Sequence, residues 1–371
     1  MNCAECGRES PLIAEVLGVC ADCIRERFAS VRPRLEEAHR TAREEFHLPP
    51  SVPRTAEGVK CKICANECRI PEGGFGYCGL RLNRKGRLLH LVDARQGSLA
   101  WYHDPLPTNC VAAWICGERD ARRGKNLAVF YHGCPFDCLF CQNWHHREEV
   151  ERLGKGAIAS TPVEERGREK GGGFTSPAEL VAQVDERTRC ICFFGGDPTP
   201  QIHHALAAAR LALAGKKVRI CWETSGCMNP RFLPALAEAA LSSGGCIKFD
   251  LKAATSELHF ALCGVGNQRT LANFAALAEY GRSRREPPLL VAATLLVPGY
   301  VDRREVGEIA RFIASLDPEI PYTLLAFHPA FYLADLPPTS RRHAEECLEE
   351  ARKAGLRRVE LGNAHLLGGD Y

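Results

Sequence analysis

The residues best suited to chemistry in this chain are its cysteines. Twenty are present, and most fall in close pairs, triplets or quartets. The segment Val129-Phe-Tyr-His-Gly-Cys134-Pro-Phe-Asp-Cys138-Leu-Phe-Cys141-Gln-Asn143 holds three of them at spacing C-x3-C-x2-C. It directly follows an apolar, strand-like run, Leu127–Tyr131. A structural zinc site takes four ligands, so a zinc knuckle here would need His132, His145 or His146 as the fourth. An iron–sulfur cluster can be held by three thiolates, which leaves one iron open to bind and react. An open iron points to chemistry rather than to a structural staple, and the rest of the chain supports that reading.

Two further cysteine groups lie upstream. Cys3-x2-Cys6 and Cys20-x2-Cys23 can close a tetrahedron around one zinc ion, a small ribbon or knuckle folded by its metal. Such a piece could dock a partner or cap the N-terminus. Cys61-x2-Cys64-x3-Cys68-x9-Cys78, with glycines at 73, 74, 76 and 79 for its turns, also implies a metal. Zinc and an auxiliary [4Fe–4S] cluster both suit that spacing. Cys110 and Cys116 read as buried or half-buried free thiols, with extra ligation as the alternative.

These groups need a frame to position them. The chain has 371 residues, 45% hydrophobic and 25% charged, enough for one large domain and small additional ones. Its net charge of +3 gives no nucleic-acid or membrane footprint. The basic runs Arg119–Lys125 and Arg282–Arg285 read as solvated loops. The most apolar helical run, Ala205–Ala214, is short and contains Arg210, so no transmembrane segment is expected. Clustered thiols and a start at Met1-Asn2-Cys3, without a signal peptide, point to a reducing compartment, the cytoplasm.

Arg25–Phe46 reads as a charged helix, broken by Leu48-Pro-Pro-Ser-Val-Pro53. From residue 126 strands alternate with helices. The strand candidates are Leu127–Tyr131, Cys190–Phe194, Val218–Trp222, Ile247–Leu251, Leu289–Val297 and Tyr322–Phe327, with Val359–Leu361 as a short addition. The helix candidates are Pro177–Arg187, Pro200–Ala214, Pro230–Ser243, Thr270–Tyr280, Arg303–Ser315 and Ser340–Ala354. Near-continuous apolar strands are those of a parallel sheet buried on both faces. The expected fold is α/β, a partial (β/α)6 barrel, with functional groups at the C-terminal ends of the strands. The expected units are residues 1–48 (zinc ribbon and charged helix), 54–118 (cysteine-rich extension) and 124–371 (barrel and C-terminal region). Lys155–Phe174 fits no barrel element and reads as a mobile loop, a lid or a partner contact.

The cysteine triplet resembles that of the radical S-adenosylmethionine (SAM) superfamily. The resemblance implies that Cys134, Cys138 and Cys141 hold a [4Fe–4S] cluster whose open iron chelates SAM. One electron then splits SAM into methionine and a 5′-deoxyadenosyl radical that abstracts hydrogen. The branch resembled is that of the glycyl-radical activating enzymes, typified by pyruvate formate-lyase activating enzyme. Phe194-Gly195-Gly196-Asp197-Pro198 is similar to the family's Gly-Gly-Glu, which contacts the methionyl amino group, with Asp in place of Glu. Cys221-Trp222-Glu223-Thr224-Ser225-Gly226 resembles Asp-Thr-Asn-Gly, which lines the SAM site and a cation, with Glu223 in place of Asp. Lys248-Phe-Asp250-Leu-Lys252 resembles Asp-Leu-Lys, so Asp250 and Lys252 would orient SAM or a peptide. Asn267-Gln-Arg-Thr-Leu271, Val297-Pro-Gly-Tyr300 and Leu324-Leu-Ala-Phe-His328 resemble three activase motifs, the last placing His328 near SAM. Gly76-Tyr-Cys-Gly-Leu-Arg-Leu-Asn83 resembles the N-terminal extension of some activase-like members.

The implied activity is hydrogen abstraction from a protein or peptide, with flavodoxin or ferredoxin as the one-electron donor. Two readings compete with it. One is radical SAM modification of a nucleic acid or a small metabolite. The other is a non-catalytic iron–sulfur or zinc protein that docks a partner. Iron content together with SAM cleavage on reduction separates the last from the others.

Overall fold

Strands that are apolar on both faces need cover on both sides, and the chain between residues 125 and 362 supplies it by alternation. The structure, a computed structural model, describes residues 1–108, 110–121, 123–159 and 172–371. The N-terminal part contains α1 (Ala21–Glu26), α2 (Phe28–Glu44) and two small antiparallel pairs. These are β1 (Val59–Lys60) with β2 (Arg69–Ile70), and β3 (Arg81–Arg84) with β4 (Arg87–His90). Then come β5 (Gly97–Pro105), β6 (Lys125–Tyr131), α3 (His146–Ala159), β7 (Gly172–Thr175), α4 (Pro177–Val181) and β8 (Thr188–Phe194). The alternation continues through α5 (Ile202–Gly215), β9 (Arg219–Thr224), α6 (Leu233–Ser243), β10 (Ile247–Asp250), α7 (Ser256–Cys263) and α8 (Gln268–Gly281). It closes with β11 (Leu290–Leu296), α9 (Arg303–Leu316), β12 (Tyr322–Ala326), α10 (Arg341–Lys353) and β13 (Val359–Gly362).

Nine strands form one sheet in the order β13-β12-β11-β10-β9-β8-β6-β5-β7. From β6 through β13 the neighbours are parallel, giving the six expected strands and the seventh, short one. This is the α/β partial barrel expected. Ile191, Phe193, Ile220, Trp222, Ile247 and Phe249 face the helices. The opposite face looks into the barrel, where Cys192, Cys221, Cys246 and Val291 pack on Ala112 and Ile115. The segment carrying Cys110 and Cys116 is thus drawn against the barrel interior. Trp114 Nε1 donates to Thr323 Oγ1 (3.1 Å), and that hydroxyl donates to the carbonyl of Val111 (2.8 Å).

Several elements differ from expectation. β5 lies in the stretch assigned to the extension, yet it pairs antiparallel with β6 along its whole length and extends the main sheet. Helix α4 stops at Val181, because Asp185 Oδ1 accepts from Arg187 N and Thr188 Oγ1, each at 3.0 Å, and folds a turn instead. Lys155–Phe174 is helical to Ala159 and a strand from Gly172. Lys155 pairs with Glu151 across one turn of α3, at 2.5 Å. The lid or partner-contact expectation falls on residues 160–171, outside the described residues.

The N-terminal module rests on the loops that follow β10 and β11. A Cβ on Gly299 (φ +78°) would stand 2.2 Å from the carbonyl oxygen of Leu12, so only glycine lets the two segments touch. Tyr300 Oη accepts from Ala14 N (2.9 Å) and donates to the carbonyl of Val19 (3.1 Å). Glu305 is fully buried; it accepts from Arg25 Nε (2.9 Å) and from the backbone of Ala254 (2.9 Å) and Thr255 (3.0 Å). Removing that carboxylate leaves the buried guanidinium with only the longer pairs to Asp302 (3.2 Å) and Asp22 (3.5 Å), and leaves the backbone donors of Ala254 and Thr255 without their acceptor. Glu305→Ala should therefore cost about 3–5 kcal/mol and loosen the module. Urea denaturation measures it, and an unchanged midpoint would show that the pair does not hold the module.

Candidate active site

The C-terminal ends of the strands converge on one cavity of about 190 Å³. Cys134, Cys138 and Cys141 line it, with Gly195, Gly196, Asp197, Glu223, Thr224, Ser225, Asp250 and Lys252. Eleven residues singled out from sequence are thus brought together, from four strand ends. The loop carrying the thiols is pinned by its backbone: Asp137 N donates to Cys263 O (2.8 Å) and Leu139 N to Leu262 O (3.0 Å). Among the described residues these three sulfurs belong to no metal-ready set with ligand atoms mutually within 4.8 Å. His146 also lines the cavity, and its Nδ1 has no hydrogen-bond partner. Ligands of a single zinc ion crowd together, whereas those of a four-iron cluster stand farther apart, so the triplet suits a cluster better. Cys138 is held below the ordinary thiol range, chiefly by the Cys263 thiol 3.6 Å away and further by the charges of Lys252 and Arg147, against burial. Burial pushes Cys141 up to about 11.

The double glycine is dictated by close approach. A Cβ on Gly195 (φ +77°) would lie 2.6 Å from Phe130 Cα, and one on Gly196 would lie 2.5 Å from Tyr131 O. Both contacts are with the strand that leads into the cysteine loop. Asp197, 2% exposed, is not a free acid over the pocket. Its Oδ1 accepts from Thr199 N (2.7 Å), and its Oδ2 from Ser225 N (2.7 Å) and Thr224 Oγ1 (3.0 Å). The bond to Thr199 caps the helical turn Thr199–Gln201 ahead of α5. The side chain therefore clasps the ends of β8 and β9 as well as facing the cavity. Burial raises its pKa, and the hydrogen bonds oppose that shift.

The resembled Asn267–Leu271 motif and the helix it opens, α8, support this rim. Thr270 Oγ1 donates to Ser225 O (2.7 Å), and Asn273 Nδ2 donates to Gly226 O and Met228 O (2.7 Å each). Asn267 Nδ2 holds the carbonyls of Ala253 (3.0 Å) and Ala254 (2.8 Å). Asp250 and Lys252 pair at 2.8 Å. Glu223 pairs with Lys248 at 2.9 Å. His328 does not join the site. It is exposed, absent from the cavity lining, and its Nδ1 lies 3.0 Å from the carbonyl of Pro329. The strand ends two residues earlier, and the chain has turned outward by then.

The first cysteine quartet assembles as expected. The sulfurs of Cys3, Cys6, Cys20 and Cys23 lie within 4.8 Å of one another, with Cys3–Cys23 and Cys6–Cys20 at 3.8 Å each. Cys61, Cys64, Cys68 and Cys78 surround a second, small enclosed cavity with Arg81 and Pro200, without so tight a convergence. This quartet stands beside the main site: Ala65 N donates to Cys227 O (2.8 Å), just past the Ser225 rim. Sequence reasoning passed over Asp137, His39, Arg43, Arg147 and Lys248. Only Asp137 carried a signal, as a charged residue inside the cysteine motif.

A parallel barrel with three thiols and a glycine-rich rim over one cavity defines a class of enzyme that splits SAM by one-electron reduction. The radical SAM superfamily's model matches residues 128–313, half of the chain. The chain belongs to the radical SAM superfamily and is an enzyme. Isethionate sulfite-lyase activating enzyme of Desulfovibrio desulfuricans is 37% identical over 136 residues, 36% of this chain and 40% of that protein. An uncharacterized protein of Methanocaldococcus jannaschii is 26% identical over 310 residues, 82% of this chain and 81% of its own. Among solved structures, a domain of pyruvate-formate lyase-activating enzyme from Bacteroides vulgatus aligns with TM-score 0.37 at 20% identity, covering 47% of this chain and 99% of that one. Streptococcus suis SuiB bound to precursor peptide SuiA aligns with TM-score 0.44 at 14% identity, covering 63% and 47%. Both structural likenesses are loose. No helix among the described residues is long and apolar enough to cross a membrane.

The clasp role of Asp197 changes what its replacement does. In Asp197→Asn an amide N–H₂ must face a backbone N–H of Thr199 or Ser225, leaving a buried donor unpaired. The variant should lose about 1–3 kcal/mol of stability even without SAM. Guanidinium denaturation tests this; a variant as stable as the parent would show that the clasp is dispensable.

Proposed function

We propose that this enzyme abstracts hydrogen from a protein or peptide substrate, in the manner of the glycyl-radical activating enzymes. The observation that carries the reading is the convergence of Cys134, Cys138 and Cys141 with the Gly195–Asp197 and Glu223–Ser225 rims on one cavity. When bound, a [4Fe–4S] cluster supplies the electron that cleaves SAM to methionine and a 5′-deoxyadenosyl radical. The chain's own residues bind, orient and shield. Cys134, Cys138 and Cys141 are the cluster's thiolates. Asp197 is a buried carboxylate with no cation paired to it among the described residues, which suits it to an ammonium group such as that of SAM. Glu223, Thr224 and Ser225 line the same end of the cavity, and Asp250 with Lys252 present a fixed dipole to SAM or to the substrate. The protein-substrate reading draws on the likeness to an activating enzyme. Flavodoxin or ferredoxin is the reductant proposed.

The N-terminal quartet is proposed to hold zinc. Four sulfurs about 2.3 Å from one ion lie about 3.8 Å apart, and the Cys3–Cys23 and Cys6–Cys20 pairs stand at 3.8 Å. Cys61, Cys64, Cys68 and Cys78 are proposed to hold a second metal or an auxiliary cluster.

Replacing Cys134, Cys138 and Cys141 together by Ala should abolish 5′-deoxyadenosine formation after dithionite reduction with SAM, and should leave one zinc at the N-terminal quartet. Chromatography of the nucleoside and elemental analysis read the two outcomes. Undiminished 5′-deoxyadenosine from the triple variant would refute the assignment.

A further inference from the structure

Asp137 lies between two cysteines of the triplet and has no task in the reading above. Its side chain is fully buried. Arg147 Nη1 donates to its Oδ1 at 2.5 Å, and Arg43 Nη1 approaches the same oxygen at 3.4 Å. His39 Nδ1 meets Oδ2 at 2.8 Å, while His39 Nε2 faces the carbonyls of Phe260 (2.9 Å) and Ala261 (3.1 Å). Both ring nitrogens of His39 face acceptors, so each is placed to donate. Burial would raise Asp137, but Arg147, His39 and Arg43 together hold it well below the usual carboxylate range.

Two guanidinium groups and a histidine surround one carboxylate, so the arginines alone outnumber its charge. The other contacts of these cations are neutral. Arg43 donates to the carbonyls of Pro49 and Tyr77 and lies 3.5 Å from the centre of the Tyr77 ring. Arg147 lies 4.7 Å from the centre of the Phe331 ring. Lys252, which also acts on Cys138, has its own counter-charge in Asp250. Excess buried charge is costly unless an opposite charge stands near. Arg147 lines the same cavity as Cys134, Cys138 and Cys141, and its charge acts on all three. A cluster on three thiolates is an anion, and reduction adds one more negative charge.

We propose that His39, Arg43 and Arg147, gathered by Asp137, form a cationic seat that raises the reduction potential of the cluster on Cys134, Cys138 and Cys141. This rests on the reading that the triplet holds that cluster. Net charge and polar contacts around an iron–sulfur centre are the levers that set its potential. His39 and Arg43 stand on α2, part of the N-terminal module that Tyr300 and Glu305 dock onto the barrel. The module is then a working part of the electron-accepting site.

The test is an EPR-monitored potential titration of full-length, reconstituted protein, following the signal that changes when SAM is added. The set comprises the parent, His39→Gln, Arg43→Gln and Arg43→Lys. Each Gln variant should lower the reduced-to-oxidised ratio at a fixed potential about tenfold, a shift of about 59 mV to more negative values for one electron. Arg43→Lys keeps the charge and loses the planar fork, so it should titrate with the parent. Gln variants that titrate with the parent, or a Lys variant that shifts as far as Gln, would overturn the seat. A folded, zinc-bearing variant without cluster also counts against it, because the seat tunes and does not ligate. If Arg43→Gln does not fold, His39→Gln decides. A parent with no SAM-responsive cluster would bring down the reading of the triplet, and the seat with it.

Discussion

The site depends on one close contact, that between the backbone leaving β8 and the backbone leaving β6. Gly195 and Gly196 have no room for a side chain against Phe130, Tyr131 and Gly133. That contact puts the cysteine loop and the glycine rim on the same cavity wall. The next residue, Asp197, then reaches sideways to Thr224 and Ser225 and ties in the end of β9. Parallel strands in register end on one edge, so each later strand brings its own polar residues to that edge without further adjustment. The triplet, the rim and the Asp250–Lys252 pair are gathered by direction and register more than by any attraction between them.

The N-terminal module is attached by a different kind of force. Two buried carboxylates of the barrel, Glu305 and Asp137, each receive cations from α1 or α2. Neither carboxylate has solvent to fall back on, so if the helices withdrew Glu305 would lose its cation and Asp137 would keep only Arg147. Buried pairs of this kind add little net stability but penalise separation strongly. The pairs sit at opposite ends of the module's helical segment, Arg25 at one and His39 with Arg43 at the other, and so fix its angle as well as its presence.

Most of the barrel was legible in the sequence because a strand buried on both faces has to be apolar throughout. β6, β8, β9, β10, β11 and β12 were found by that rule, with ends within a few residues. β5 was not. Its segment, Gly97-Ser-Leu-Ala-Trp-Tyr-His-Asp-Pro105, mixes polar and apolar residues, because its outer half is only partly covered. Helix α7 was missed between the Asp-Leu-Lys motif and Gly264, too short for its period to stand out. At the site, glycines and cysteines were legible because few residues can replace them. His328 was placed by resemblance alone, and the chain carries it outward. The cations around Asp137 were not legible, because nothing local marks His39 or Arg43 as partners of a residue about a hundred positions away.

The barrel interior shows how a polar group can be read only from its complete set of partners. Lys248 is almost fully buried, and an ammonium has three donors to satisfy. Glu223 takes one at 2.9 Å, Cys192 one at 3.0 Å and Cys110 one at 3.2 Å. The nearby charges and thiols hold Lys248 above the ordinary lysine range against its desolvation. Cys110, whose role the sequence left open, is thereby an acceptor for a buried cation and needs no metal to account for it. Glu223 gains from the same arrangement. It stands where the resembled motif has the shorter aspartate, and its carboxylate is anchored from below by Lys248 while it lines the cavity above. A longer acid at that position keeps a fixed orientation only because the lysine and its two sulfur acceptors fill the layer beneath it.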